Sequence, residues 1–164
     1  MSTKNKNLSN YNLENVPSGK GKRFGMVVSE WNREVTFALR DAAIATLKKF
    51  DVPKNDIEVF QVPGAFELTL GAQWLGEKEN IDAVICIGCV VKGETPHFEF
   101  ICQGIAYGIT ALNISLGKPI IFSVLTTNSL EQAIDRSGGI HGNKGDEGAI
   151  TALKMLEVRD RMKK

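Results

Sequence analysis

Short apolar runs alternate with longer amphipathic ones along most of the chain. "RFGMVVSE" (23–30), "IEVFQV" (57–62), "IDAVICIG" (81–88) and "KPIIFSVLT" (118–126) have the length and apolar character of strands. The third is nearly all apolar, which predicts a strand buried on both faces. Between them, "REVTFALRDAAIATLKKF" (33–50) brings Val35, Leu39, Ala42, Thr46 and Phe50 round at helical spacing. Helices are also predicted over 65–79, 98–117, 128–138 and 146–164. Pro53 and Pro63-Gly64 break the pattern, and Gly117 closes the third helix. Asn128 is the expected N-cap of the short fourth helix and Gly138 its stop.

Strands that alternate with helices imply right-handed crossovers and a parallel sheet covered on both sides. The expected fold is a three-layer αβα sandwich with a four-stranded parallel sheet, flavodoxin-like in style. The polar Asn-, Ser- and Lys-rich stretch at 1–22 is expected to be an N-terminal arm, and 23–164 a single domain. In such sheets ligands sit beyond the carboxyl ends of the strands. Polar residues gather there: "SEWN" (29–32), "PGAFE" (63–67), "KGETPH" (92–97) and "TTNS" (126–129).

Composition narrows the classes. The chain has 164 residues, 43% apolar, with a formal net charge of +1. That suits one domain with a sizeable core, and the scattered Lys and Arg give no footprint for nucleic acid. No apolar stretch reaches the roughly 20 residues that span a bilayer, and the N-terminus lacks the apolar region of a secretory signal, so a cytoplasmic protein is expected. Of the three cysteines, Cys86 and Cys89 stand three apart in a strand and so point to opposite faces, a poor metal pair. Small reduced fillers are the expected role of all three.

"GCVVKGET" (88–95) is a near miss for a phosphate-binding P-loop, because Glu94 stands where its lysine belongs. A simpler anion site survives. Thr95 is an expected N-cap and Pro96 a first-turn residue, so free backbone N–H groups would face the strand ends. Gly93 would let the backbone approach closely. His97 falls in the same turn, where the positive helix end favours a neutral imidazole able to take a proton. The alternative is a capped helix start with an exposed histidine, and both readings stay open. Arg136 would be a second basic group, with a solvated surface arginine as its plain reading. Trp31 could stack on a planar heterocycle while Asn32 bonds a polar edge, against a plain role in capping the core. Glu67 could accept from polyol hydroxyls, and Gly64-Ala65 could press backbone against a ligand. "GGIHGNKG" (138–145) is expected as a tight connection, with Lys144 at the start of the last helix and His141 a loop residue. The Gly104–Gly108 pair is expected to let another helix approach closely.

Taken together, "VPGAFEL", "GCVVKGETPHFEFIC", "FSVLTTNSLEQAIDRSG" and "GNKG" resemble, in order and in register from about residue 23 to 160, the blocks of the lumazine synthase family. The resemblance implies condensation of 5-amino-6-(D-ribitylamino)uracil with 3,4-dihydroxy-2-butanone 4-phosphate, through imine formation, phosphate loss, ring closure and dehydration, with no metal or organic cofactor. It implies His97 as the proton-transfer residue. Glu94 (through its backbone), Thr95 and Arg136 would meet the phosphate. Trp31 would stack on the pyrimidine, where many members have Phe. Ala65, Phe66 and Glu67 would line the pyrimidine and ribityl site, and Cys89, Val90 and Val91 would offer backbone groups. Phe122 would come from a neighbouring subunit, and Lys144 matches a family lysine near the heterocycle. Lys92 and Ile140 depart from common family residues.

The resemblance also implies pentamers. The short 138–145 connection favours a closed shell of twelve, with riboflavin synthase as a candidate partner. The arm at 1–22 would then dress a neighbour's sheet edge. Two other classes compete: an enzyme that disproportionates the lumazine itself, and a non-catalytic flavin-binding or container protein.

Overall fold

The computed structural model describes residues 15–163. Four parallel strands form one sheet in the order β2-β1-β3-β4: β1 (Phe24–Ser29), β2 (Ile57–Val62), β3 (Ala83–Val91) and β4 (Ile120–Thr127). Between and after them run α1 (Arg33–Lys49), α2 (Leu68–Gly76), α3 (His97–Leu116), α4 (Leu130–Ile134) and α5 (Lys144–Met162). The expected three-layer sandwich is therefore the observed one.

Period-two alternation in the central strands divides the interior into two cores. Met26, Val28, Ile85, Ile87 and Cys89 face one side, where Leu39 and Leu47 of α1 meet Leu153 and Leu156 of α5. Val27, Val84 and Cys86 face the other, against Leu68 and Leu75 of α2 and Ile105 and Ile109 of α3. Cys86 and Cys89 thus lie on opposite faces, as their spacing demands. Burial pushes their thiols up, Cys86 to about 12 and Cys89 to about 11, so both stay protonated at neutral pH. Leu39 and Leu153 are essentially excluded from solvent. Truncating either to alanine costs about 2–5 kcal/mol.

Glycines set the closest helix contacts. A Cβ at Gly108 would come within 2.6 Å of Thr69 Cγ2 on α2, and one at Gly104 would meet the Phe66 ring at 3.2 Å. The Gly104–Gly108 pair therefore serves helix packing. At Gly145 a Cβ would stand 1.9 Å from the Leu39 carbonyl oxygen, which locks α5 onto α1.

Several local expectations are corrected. The short helix begins later than expected: its N-cap is Ser129, whose Oγ accepts from the Gln132 N–H, and Asn128 lies outside it. It ends at Ile134, so Gly138 is not its stop and Arg136 follows it. Residues 138–145 are not a plain loop. Ser137–Gly139 (β5) and Gly142–Asn143 (β6) form an antiparallel hairpin, with Gly138 at φ 130° and Gly142 at φ 73° in conformations that favour glycine. Asn143 then caps α5, its Oδ1 accepting from Gly145 N–H at 2.8 Å. Thr95 does not cap α3. Pro96 is the flanking residue, and no side chain bonds the helix end.

The described part of the expected arm lies on the domain. Val16 is buried in the α1/α5 core and Gly19 N–H donates to Phe50 O at 2.7 Å. The proposed dressing of a neighbour's edge falls largely on residues 1–14, outside the described residues. Among the described residues, no helix is long and apolar enough to cross a membrane.

Candidate functional site

The carboxyl ends of β1, β2 and β3 open onto a cleft of about 440 Å³. Trp31, Gly64, Ala65, Phe66, Glu67, Cys89, Val90, Val91, His97 and Ile101 line it. Each wall follows from a strand that ends and a chain that must turn. β1 gives way to Trp31, whose N–H donates to Pro63 O at 3.2 Å; the indole itself is 71% exposed. β2 ends in Pro63-Gly64. The Glu67 carboxylate folds back over that turn, since a Cβ at Gly64 would lie 2.8 Å from Glu67 Oε2. β3 supplies the floor, Cys89 to Val91. His97 opens α3, and one helical turn later Ile101 continues the same wall.

The loop between β3 and α3 is where an anion site is expected. Among the described residues, no acceptor meets the backbone N–H of Thr95, His97 or Phe98. Glu94 and Thr95 are exposed, and nothing lies within 4 Å of where a Cβ would stand on Gly93. A 20-residue helix whose first donors face solvent in this way favours an anion there. The side chains of Glu67, Glu94, Thr95 and His97 have no hydrogen bond or ion pair among the described residues.

Phe122, Arg136 and Lys144 are elsewhere. They line a second, larger cavity of about 710 Å³ along the free edge of β4, together with Thr126, Thr127, Glu147 and Thr151. The two cavities share no lining residue. Phe122 is 42% exposed in the middle of a strand. Arg136 bonds the Gln132 carbonyl at 2.8 Å. The Lys144 ammonium is paired with Glu147 in a short contact between two largely buried side chains. Glu147 was not singled out by sequence, although its place three residues after Lys144 on one helix would have paired them. Ile101 is a further wall residue that sequence reasoning did not name, although its spacing of four from His97 was the signal; Gly64 lines the cleft as expected. Asn32 lines neither cavity: its Nδ2 donates to Cys89 O at 2.9 Å.

A cleft with an aromatic wall, a carboxylate and an imidazole at the strand ends of a flavodoxin-like sheet has the makings of an enzyme site. Comparison with known proteins narrows this class to one family. The family model described as 6,7-dimethyl-8-ribityllumazine synthase matches residues 21–160. Proteins of that name are similar along nearly the whole chain. The one from Cytophaga hutchinsonii is 56% identical over 156 residues, 95% of this chain and 98% of its own. Those from Flavobacterium johnsoniae and Porphyromonas gingivalis are 52% and 53% identical, covering 97% and 94% of this chain and 84% and 96% of theirs. The chain belongs to the 6,7-dimethyl-8-ribityllumazine synthase family. It is a transferase of the condensation step of riboflavin biosynthesis that yields dimethylribityllumazine.

Proposed function

We propose that the complete reaction site forms between two copies of the chain, one giving the Trp31–His97 cleft and the other its β4 edge. The observation that carries this reading is the division of the expected site residues between two cavities with no lining residue in common. Phe122, Arg136 and Lys144 of one copy would then close the cleft of the next, a head-to-tail contact that generates a ring. Exposed Phe66, Leu70, Trp74, Phe100, Tyr107 and Ile114 on the α2/α3 side add apolar surface for such a contact.

In this reading the pyrimidine stacks on Trp31. Its polar edge meets backbone groups of Ala65, Phe66 and Cys89 to Val91, Asn32 braces that floor from behind through Cys89 O, and Glu67 accepts from ribityl hydroxyls. The phosphate of the second substrate sits on the free N–H groups at Glu94, Thr95 and the start of α3, with Arg136 approaching from the neighbour. His97 takes and returns the protons of imine formation, phosphate loss, ring closure and dehydration. The amine and ketone are reactive already, so side-by-side binding supplies much of the rate and one acid–base group with one anion site the rest. Copies assemble as pentamers, and twelve of these close into a cytoplasmic shell able to enclose riboflavin synthase.

Mixing both substrates with the protein and following the fluorescent lumazine tests the reaction. Co-expressing His97→Ala with Arg136→Ala tests the shared site. Random mixing leaves about a quarter of inter-copy sites intact, so with the phosphate substrate held below the parent KM activity returns well above either variant alone. If the mixed assembly stays as inactive as its parts, the site lies within one chain. Sedimentation distinguishes pentamer from shell.

A further inference from the structure

β1 and β3 pair only as far as Val28 opposite Ile87. Beyond that point β3 runs on to Val91 against β4, while β1 leaves at Ser29 for α1. The Asn32 amide occupies the place β1 has vacated, donating to the Cys89 carbonyl at 2.9 Å as the next rung of the ladder. Two features show that this contact shapes the residue. Asn32 has φ 58° and ψ 47°, a left-handed backbone that asparagine tolerates better than most residues. It also stands at the N-cap of α1, where an asparagine side chain ordinarily accepts from the helix N–H groups. Here it makes no such bond. The backbone carbonyl of Asn32 takes the Val35 and Thr36 N–H groups instead, at 2.9 and 3.0 Å, and frees the amide for β3.

Trp31 is the residue this arrangement places. Its own N–H donates to Pro63 O, and the Glu30 N–H to Val62 O at 2.8 Å, so the β2 side of the turn is fixed. Asn32 fixes the β3 side. The exposed indole takes its position from these anchors and from the Ser29 hydroxyl, which donates to Trp31 O at 3.4 Å. A gap of 0.5–1 Å between a flat ring and its wall already forfeits about a quarter to a half of the dispersion energy.

We propose that Asn32 is a positioning residue: it sets the separation between the Trp31 wall and the Cys89–Val91 floor, and so the affinity for the pyrimidine substrate. This rests on the reading of Trp31 as the stacking wall. Asn32→Gly is the informative variant, because glycine accepts the left-handed backbone and removes only the amide. Its thermal midpoint falls by only a few degrees, roughly the loss of one neutral hydrogen bond. Its KM for the pyrimidine rises by roughly three- to tenfold, the worth of a stacking contact forfeited when the wall shifts, with kcat and the KM for the phosphate substrate within about twofold. Asn32→Asp, which sets a carboxylate against the Cys89 carbonyl, raises the pyrimidine KM further.

In a Trp31→Ala background the Asn32→Gly change adds nothing, since the wall it positions is gone. An equal rise in that background would mean that Asn32 touches the substrate directly, and would overturn the proposal. A pyrimidine KM left at the parent value by Asn32→Gly, with Trp31→Ala raising it, would overturn the proposal and leave the stacking reading intact. A pyrimidine KM unmoved by Trp31→Ala would remove the stacking reading and the proposal with it.

Discussion

The two ends of the sheet are built on opposite principles. At the amino end, charges are paired. The Asp82 carboxylate accepts from the Arg23 N–H at 3.0 Å and from Arg159 at 2.9 Å, while its own N–H donates to Arg23 O at 2.8 Å. Arg23 reaches Asp56 at 2.9 Å, Lys78 reaches Glu58 at 2.7 Å and Lys22 reaches Asp160 at 2.7 Å. At the carboxyl end, His97, Glu67, Glu94 and Thr95 have no protein partner among the described residues, and a tryptophan stands in solvent. Buried polar groups of a folded protein are ordinarily satisfied, and among the described residues the buried side-chain exceptions, Arg23 Nε and Arg159 Nε, lie at the amino end. The carboxyl-end groups are exposed and so open to water or to a ligand; in the proposed function the substrates meet them.

The sharpest break of this contrast is a variant that costs rate and no stability. His97→Ala slows turnover by about ten- to ten-thousandfold, the span of one acid–base group, and leaves the thermal midpoint unchanged because the side chain is exposed. A wild-type rate removes His97 from the mechanism. Arg136→Ala comes next. It raises the KM for the phosphate substrate by roughly ten- to a hundredfold, as expected for a lost charged hydrogen bond, and spares the pyrimidine. A rise in the pyrimidine KM instead would reassign the residue.

The amino end responds the other way. Asp82→Ala leaves the Arg23 N–H and the Arg159 guanidinium without their carboxylate, in a partly exposed setting that softens the loss. About 1–2 kcal/mol of stability goes, a fall of roughly 2–8 °C in the midpoint for a chain of this size, with kcat/KM intact. If Asp82→Ala lost activity before stability, the division of labour between the two ends would be wrong.

How much of this was legible depended on the kind of signal. The strands and long helices declare themselves by apolar periodicity, and β2 has the observed boundaries because Pro53 and Pro63 bracket it. The β5–β6 hairpin was hidden, since "SGG" and "GN" have neither β-branched residues nor alternation. Asn128 and Ser129 are both good caps, and sequence cannot choose between neighbours; the bond from Gln132 N–H to Ser129 Oγ decides. Asn32 was legible as a polar residue at a strand end. Its partner was not, because Cys89 is 57 residues away and is met through a carbonyl that every residue possesses. The separation of Arg136 and Lys144 from His97 is a matter of which sheet edge each strand takes. That order, β2-β1-β3-β4, is a tertiary property that spacing does not encode.

The smallest predicted effect concerns acid. The hydrogen bond from Lys78 holds the Glu58 carboxyl below its ordinary value of 4.5, and the bond from Lys22 holds Asp160 below its ordinary 3.8. A carboxylate whose folded pKa lies below its unfolded one binds protons more readily in the unfolded chain. Its contribution is therefore complete above the ordinary pKa and disappears as pH falls through the folded value. Both carboxylates are partly exposed, so screening keeps each contribution small. Glu58→Gln should lower the thermal midpoint slightly at pH 7. The gap to the parent should close as pH drops below the ordinary 4.5 of Glu58. Added salt at pH 7 should narrow it as well. An offset that stays constant from neutral to acid pH would show that the glutamate acts through packing and not through its charge. The amino end would then be held together by shape, and the opposition between a charge-closed end and an open one would lose its electrostatic half.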